Sequence, residues 1–141
     1  MSAEIGFSGS QRGMTEAQRA TVARLLQEFY RMELGVGLFR HGHCRGADEQ
    51  AAMIAGNIGY VTVAYPGADT PDKWTTFVST YTRAAYPNLE RNQRICDDSM
   101  IMIAAPAQDT EVLRSGTWAT IRRARKDNVP LFIVGPEGNL L

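Results

Sequence analysis

The sequence predicts an α/β protein, one doubly wound domain over residues 1–141 with a mainly parallel sheet flanked by helices. Three observations carry that reading. Short apolar runs alternate with segments of helical periodicity along the whole chain. Two runs, Met100 to Ala104 and Leu131 to Val134, are apolar throughout, as strands covered on both faces must be. Three polar loops that carry glycine each follow a strand-like run and precede a helix-like one, the place where open α/β sheets take their ligands.

Ile5-Gly6-Phe7 is the first strand. Thr15-Glu16-Ala17-Gln18 has the spacing of a capping box and opens a helix running to about Leu34, with Val22, Leu25, Leu26 and Phe29 on one stripe and Gly35 as its stop. Val36 to Phe39 is the second strand and Ala47 to Asn57 the second helix, whose Ala51, Ala52 and Ala55 permit close packing on a sheet. Tyr60 to Tyr65 is the third strand. The pattern is weakest from Pro66 to Pro87, where Trp74 to Tyr81 reads as a short helix. Leu89 to Asp97 then reads as helix, Met100 to Ala104 as strand, Gly116 to Asp127 as helix and Leu131 to Val134 as the last strand.

Composition narrows the function. The chain has 141 residues, and its 15 basic side chains balance 15 acidic ones, so the broad basic surface that sequence-independent nucleic-acid binding needs is missing and such partners are not expected. No apolar stretch approaches the length of a membrane span and the N-terminus has no secretory pattern, which points to the cytoplasm. Cys44 and Cys96 read as reduced thiols. His41, His43 and Cys44 stand close together, but no second cluster accompanies them, so neither a metal nor another cofactor is expected.

The loops supply the candidate site. Arg114-Ser115-Gly116-Thr117-Trp118-Ala119-Thr120 opens a helix with a glycine between two hydroxyl residues, and the first-turn amides of a helix lack intrahelical acceptors and sit at the positive end of its dipole. That arrangement seats a phosphate. Ser115 and Thr117 could equally be an ordinary helix cap. Gly9-Ser10-Gln11-Arg12-Gly13 and His41-Gly42-His43-Cys44-Arg45-Gly46-Ala47-Asp48 add Arg12 and Arg45, whose guanidinium groups suit bidentate phosphate contact. His41 reads as a ligand contact or a structural hydrogen-bond partner, Asp48 as a helix cap or a ribose contact, and Trp118 as packing or a flank for a base.

These residues carry a resemblance. Glu90-Arg91-Asn92 followed by Ser99, Ile103, Ala104, Pro106 and Gly116-Thr117, with the two earlier loops, resembles the SLOG superfamily of Rossmann-like proteins, from Ile5 to Pro136. That superfamily groups the Lonely Guy phosphoribohydrolases with DNA-processing proteins and nucleotide-sensing domains. The resemblance implies a homodimer and a nucleotide pocket using Gly9, Ser10, Arg12, His41, Arg45, Gly46, Asp48, Arg91, Asn92, Pro106, Ser115, Gly116, Thr117, Trp118 and Thr120. Arg91 falls on the arginine of the Lonely Guy motif, so N-glycosidic cleavage of nucleoside 5′-monophosphates is one implied activity, with Arg91, Glu90 and Asp48 as its candidate catalytic residues. Thr120, however, stands where the hydrolases keep a glutamate, and a threonine offers no charge to an oxocarbenium-like centre. A sensor or sequestering protein for a nucleotide is therefore the first expectation, a hydrolase the alternative and a single-stranded DNA-binding protein the third.

Overall fold

A computed structural model describes residues 4–32 and 37–141. Its order is β1 (Glu4–Gly9), α1 (Glu16–Met32), β2 (Leu38–His41), α2 (Ala47–Ile58), β3 (Val61–Ala64), a 3-10 turn (Pro71–Lys73), β4 (Tyr81–Thr82), α3 (Asn88–Asp98), β5 (Ile101–Ala105), α4 (Gly116–Lys126) and β6 (Leu131–Ile133). The strands form one sheet in the order β4-β3-β2-β1-β5-β6, and every pairing is parallel. This is the α/β architecture the alternation predicts. The expected end of α1 near Leu34, its stop at Gly35 and the start of β2 at Val36 lie outside the described residues.

The capping box forms as the spacing requires. Thr15 donates its amide to Gln18 Oε1 and accepts the Gln18 amide on Oγ1, both at 3.0 Å. Gln18 also donates Nε2 to the carbonyls of Pro106 and Val134, tying the start of α1 to the chain leaving β5 and β6. One core joins α1 and α2 to the sheet through Val22, Leu25, Leu26, Phe7, Phe39 and the alanines of α2. Smaller clusters around Ile95, Met102, Trp118 and Ile121 seat α3 and α4. The sheet is thus covered on both faces, and function is left to its ends.

One expectation fails. Trp74 to Tyr81 is not a helix: the 3-10 turn ends at Lys73, the chain then runs extended, and it enters β4 at Tyr81. The physical reason lies in Thr75-Thr76-Phe77-Val78-Ser79-Thr80, a β-branched and hydroxyl-rich run that resists helix and satisfies its backbone from outside. Thr62 and Thr80 exchange amide-to-hydroxyl bonds at 3.2 and 3.0 Å, so side chains continue the β3 edge where the ladder has not yet begun.

Candidate functional site

The strand order reverses direction between β1 and β5: the chain winds outward from β1 through β2, β3 and β4, and then restarts on the other side. Loops leaving the carboxyl ends of β1 and β5 therefore part there and leave a crevice. A cleft of about 450 Å³ occupies it, walled by Phe7 to Arg12, by the start of α4 and its preceding loop, and by Gly42, Cys44, Asp48, Lys73, Arg91 and Asn92.

On one side Ser115 caps α4, its Oγ accepting the Trp118 amide at 3.2 Å. The Gly116 and Thr117 amides, the first two of the helix, have no intrahelical acceptor, and both residues line the cleft. Nothing lies within 4 Å of where a Gly116 side chain would stand. Thr120 also lines the cleft, but its hydroxyl is turned back onto the Gly116 carbonyl at 3.1 Å.

The floor is a buried polar cluster. Arg91, 7% exposed, donates Nη1 to the carbonyls of Gly42 and Tyr65 and Nε to Asn92 Oδ1 at 2.7 Å. Asp48 stands beside it, 6% exposed, with Oδ2 accepting the Cys44 amide at 3.4 Å. Burial pushes the Asp48 carboxyl up to about 6, against the opposing pull of the Arg91 guanidinium and of amides from Cys44, Gly42 and Gly9. Gly42 must be glycine for both neighbours: an added Cβ would stand 2.7 Å from Arg91 Nη1 and 2.8 Å from Asp48 Oδ2. Burial likewise raises the Cys44 thiol, with Asp48 adding to the shift, so the thiol stays protonated at neutral pH.

The remaining predicted residues sit around the cleft rather than in it. His41 is fully buried, and its Nδ1 accepts the His43 amide at 3.1 Å, so the neutral ring carries its proton on Nε2 and donates to Ser79 Oγ at 2.7 Å. Burial, then His43 and Arg91, lower its pKa to about 3. Pro106 is buried with its carbonyl committed to Gln18. Trp118 points into the core beneath α4, 4% exposed. Glu90 faces solvent and pairs with Arg94 at 3.0 Å, away from the cleft. Gly46, at φ +91, lets two loops touch, since a side chain there would strike the Gln11 carbonyl. Arg45 lines a separate hollow next to the cleft. The structure thus brings together Gly9, Ser10, Arg12, Asp48, Arg91, Asn92, Ser115, Gly116, Thr117 and Thr120, and sets His41, Arg45, Gly46, Glu90, Pro106 and Trp118 outside.

Sequence reasoning passed over Lys73, Gln108 and Arg114, all of which line the cleft. Arg114 was legible, because it directly precedes the Ser115 cap. Lys73 was not, because long-range bonds bring it in: its carbonyl accepts the Arg45 amide at 2.9 Å, while the Thr75 amide reaches the His43 carbonyl at 3.0 Å. Among the described residues, no group of three or more His, Cys, Asp or Glu side chains is placed to hold a metal ion, and no helix is long and apolar enough to cross a membrane.

Among solved structures, a molybdenum cofactor binding protein from the phototrophic bacterium Rippkaea orientalis matches with a TM-score of 0.72 at 18% identity, over 96% of this chain and 77% of that one. DNA processing protein A from Streptococcus pneumoniae matches with 0.65 at 19% identity, over 94% of this chain and 50% of that one. The chain shares their Rossmann-like α/β fold. No protein-family model and no curated protein matches the sequence. At these identities the likeness to the two structures is one of fold, and this chain spans half the length of the second. What the cleft takes has to be argued from its own residues.

Proposed function

We propose that this protein binds a nucleotide or nucleotide-derived small molecule in the cleft between β1 and β5, and acts as a sensor or sequestering protein for it. The observation that carries this reading is the imbalance of charge in the cleft. Arg12, Lys73, Arg91 and Arg114 line it, together with the open amides of α4, against a single carboxyl, Asp48, whose pKa burial raises to about 6. A phosphate is met there by amides, hydroxyls and guanidinium groups at once. The neighbour from Rippkaea orientalis, by its name a binder of a small cofactor, supports a small-molecule ligand of this general kind.

Mass spectrometry of small molecules released on denaturing the purified protein identifies the ligand, and calorimetry with Gly116→Asp tests its seat. The open space at Gly116 admits the new side chain, so the fold should hold while a carboxylate at the helix start repels phosphate. Unchanged affinity would move the site elsewhere.

A second reading, N-glycosidic cleavage of nucleoside 5′-monophosphates, is favoured by one feature: a buried carboxyl whose pKa of about 6 suits general acid–base work. The Thr120 hydroxyl, bonded to Gly116, supplies no charge to assist it. We expect base release, followed by chromatography, to be slow or absent. Rapid release lost in Asp48→Asn would establish the hydrolase.

A further inference from the structure

Beside the cleft lies a smaller hollow of about 140 Å³ lined by Gln11, Arg45 and Lys73, of which Gln11 and Lys73 also line the main cleft. The two spaces therefore adjoin. The hollow is built from three different loops locked together: the Arg45 amide donates to the Lys73 carbonyl at 2.9 Å, Arg45 Nη2 donates to the Asp72 carbonyl at 2.8 Å, and Gly46 closes against Gln11.

Its charges are uncompensated. Every ion pair among the described residues lies elsewhere, at Arg40–Glu4, Arg83–Asp98, Arg94–Glu90 and Arg122–Glu111. Arg45 meets only a neutral carbonyl, and Lys73 meets no carboxylate. Arg45 is exposed and Lys73 half-buried, both on the wall of the hollow, so an anion seated there would meet both charges. The hollow belongs to the β2 side of the cleft and the α4 start to the β5 side. β1 lies between β2 and β5 in the sheet.

Resting on the nucleotide reading above, we infer that the ligand carries two phosphoryl groups held apart by its nucleoside, one at the α4 amides with Arg114 and the other in the hollow between Arg45 and Lys73. A nucleoside 3′,5′-bisphosphate has that chemistry.

Calorimetry at low salt with the four ribonucleoside 5′-monophosphates and the corresponding 3′,5′-bisphosphates tests it, on wild type and on Arg45→Gln/Lys73→Gln, with thermal unfolding as the check on fold. Since a hydrogen bond to a charged group is a strong one, the preferred bisphosphate should bind wild type at least about tenfold tighter than its monophosphate. In the double variant that ratio should fall towards one. Equal affinities in wild type, or a preference kept intact in the double variant, would overturn the second subsite while leaving the nucleotide reading standing. If neither kind of nucleotide binds wild type, the nucleotide reading falls and this inference falls with it.

Discussion

Asp48→Asn should stabilise the protein more at neutral pH than in acid. Burial raises the Asp48 carboxyl from 3.8 to about 6, because the water it loses outweighs what Arg91 and three backbone amides return. The folded state therefore keeps the proton to a higher pH than the unfolded chain does. Stability from this group is complete below pH 4, declines as pH rises through the window between 4 and 6, and is absent above it. A difference of roughly two pH units, at about 1.4 kcal/mol each, corresponds to about 3 kcal/mol. Asparagine does not titrate, so its constant effects, including the loss of a carboxylate facing Arg91, cancel when the variant is compared with wild type at two pH values. Urea unfolding of both proteins at pH 3.5 and 7.5 should show the variant gaining about 3 kcal/mol on wild type between the lower and the higher pH, equivalent to roughly 10 °C in Tm for a chain of this length. A stability difference that does not change with pH, or that changes in the other direction, would refute the reasoning.

Acid should act on His41 with the opposite sign. Its pKa is lowered from 6.5 to about 3, so the stability it contributes is whole above pH 6.5 and is lost as pH falls; relative to His41→Gln, wild type should lose about 2 kcal/mol between pH 6.5 and 5 in urea titrations. Arg91→Ala should abolish ligand binding and also lower stability by at least about 2 kcal/mol, since it strands the carbonyls of Gly42 and Tyr65, and calorimetry paired with thermal unfolding separates the two losses. Light scattering should return twice the chain mass of 15.6 kDa, the homodimer implied by the SLOG resemblance, with Leu89 on α3 and Leu113 just before α4, each 79% exposed, among the apolar side chains open to its interface once Trp118 is spent on the core; the mass of a single chain would refute it.

What was legible in the sequence was local. The Thr15–Gln18 box, the apolar stripe of α1, the small face of α2 and the Ser115 cap each depend on residues within a few positions of one another, and each formed as read. The same holds for the part of the cleft that follows β1 and β5. What escaped depends on contacts far apart in the chain. Thr62 and Thr80, eighteen residues apart, decide that the run before β4 is extended, and Arg45 and Lys73, twenty-eight apart, bring a cation into the cleft from a segment whose own pattern shows only prolines and polar residues. Arg91 shows a different limit. The motif identifies an arginine, but only the structure shows that its Nη1 is already used to hold the Gly42 and Tyr65 loops together and its Nε to bond Asn92.

The place of β1 in the sheet bears on how the chain is made. Of the described strands it is made before the others, yet of the two strands that flank it, β5 begins only at Ile101. Until then the edge carrying Ile5 and Phe7, side chains wholly inside the finished molecule, stays open to pairing with any other strand it meets. Synthesis must pass residue 105 before that edge closes, and α4 follows later still. Folding should thus be slow for a domain of this size, with nascent or truncated chains prone to aggregate, and the cleft is completed only once the start of α4 has been made.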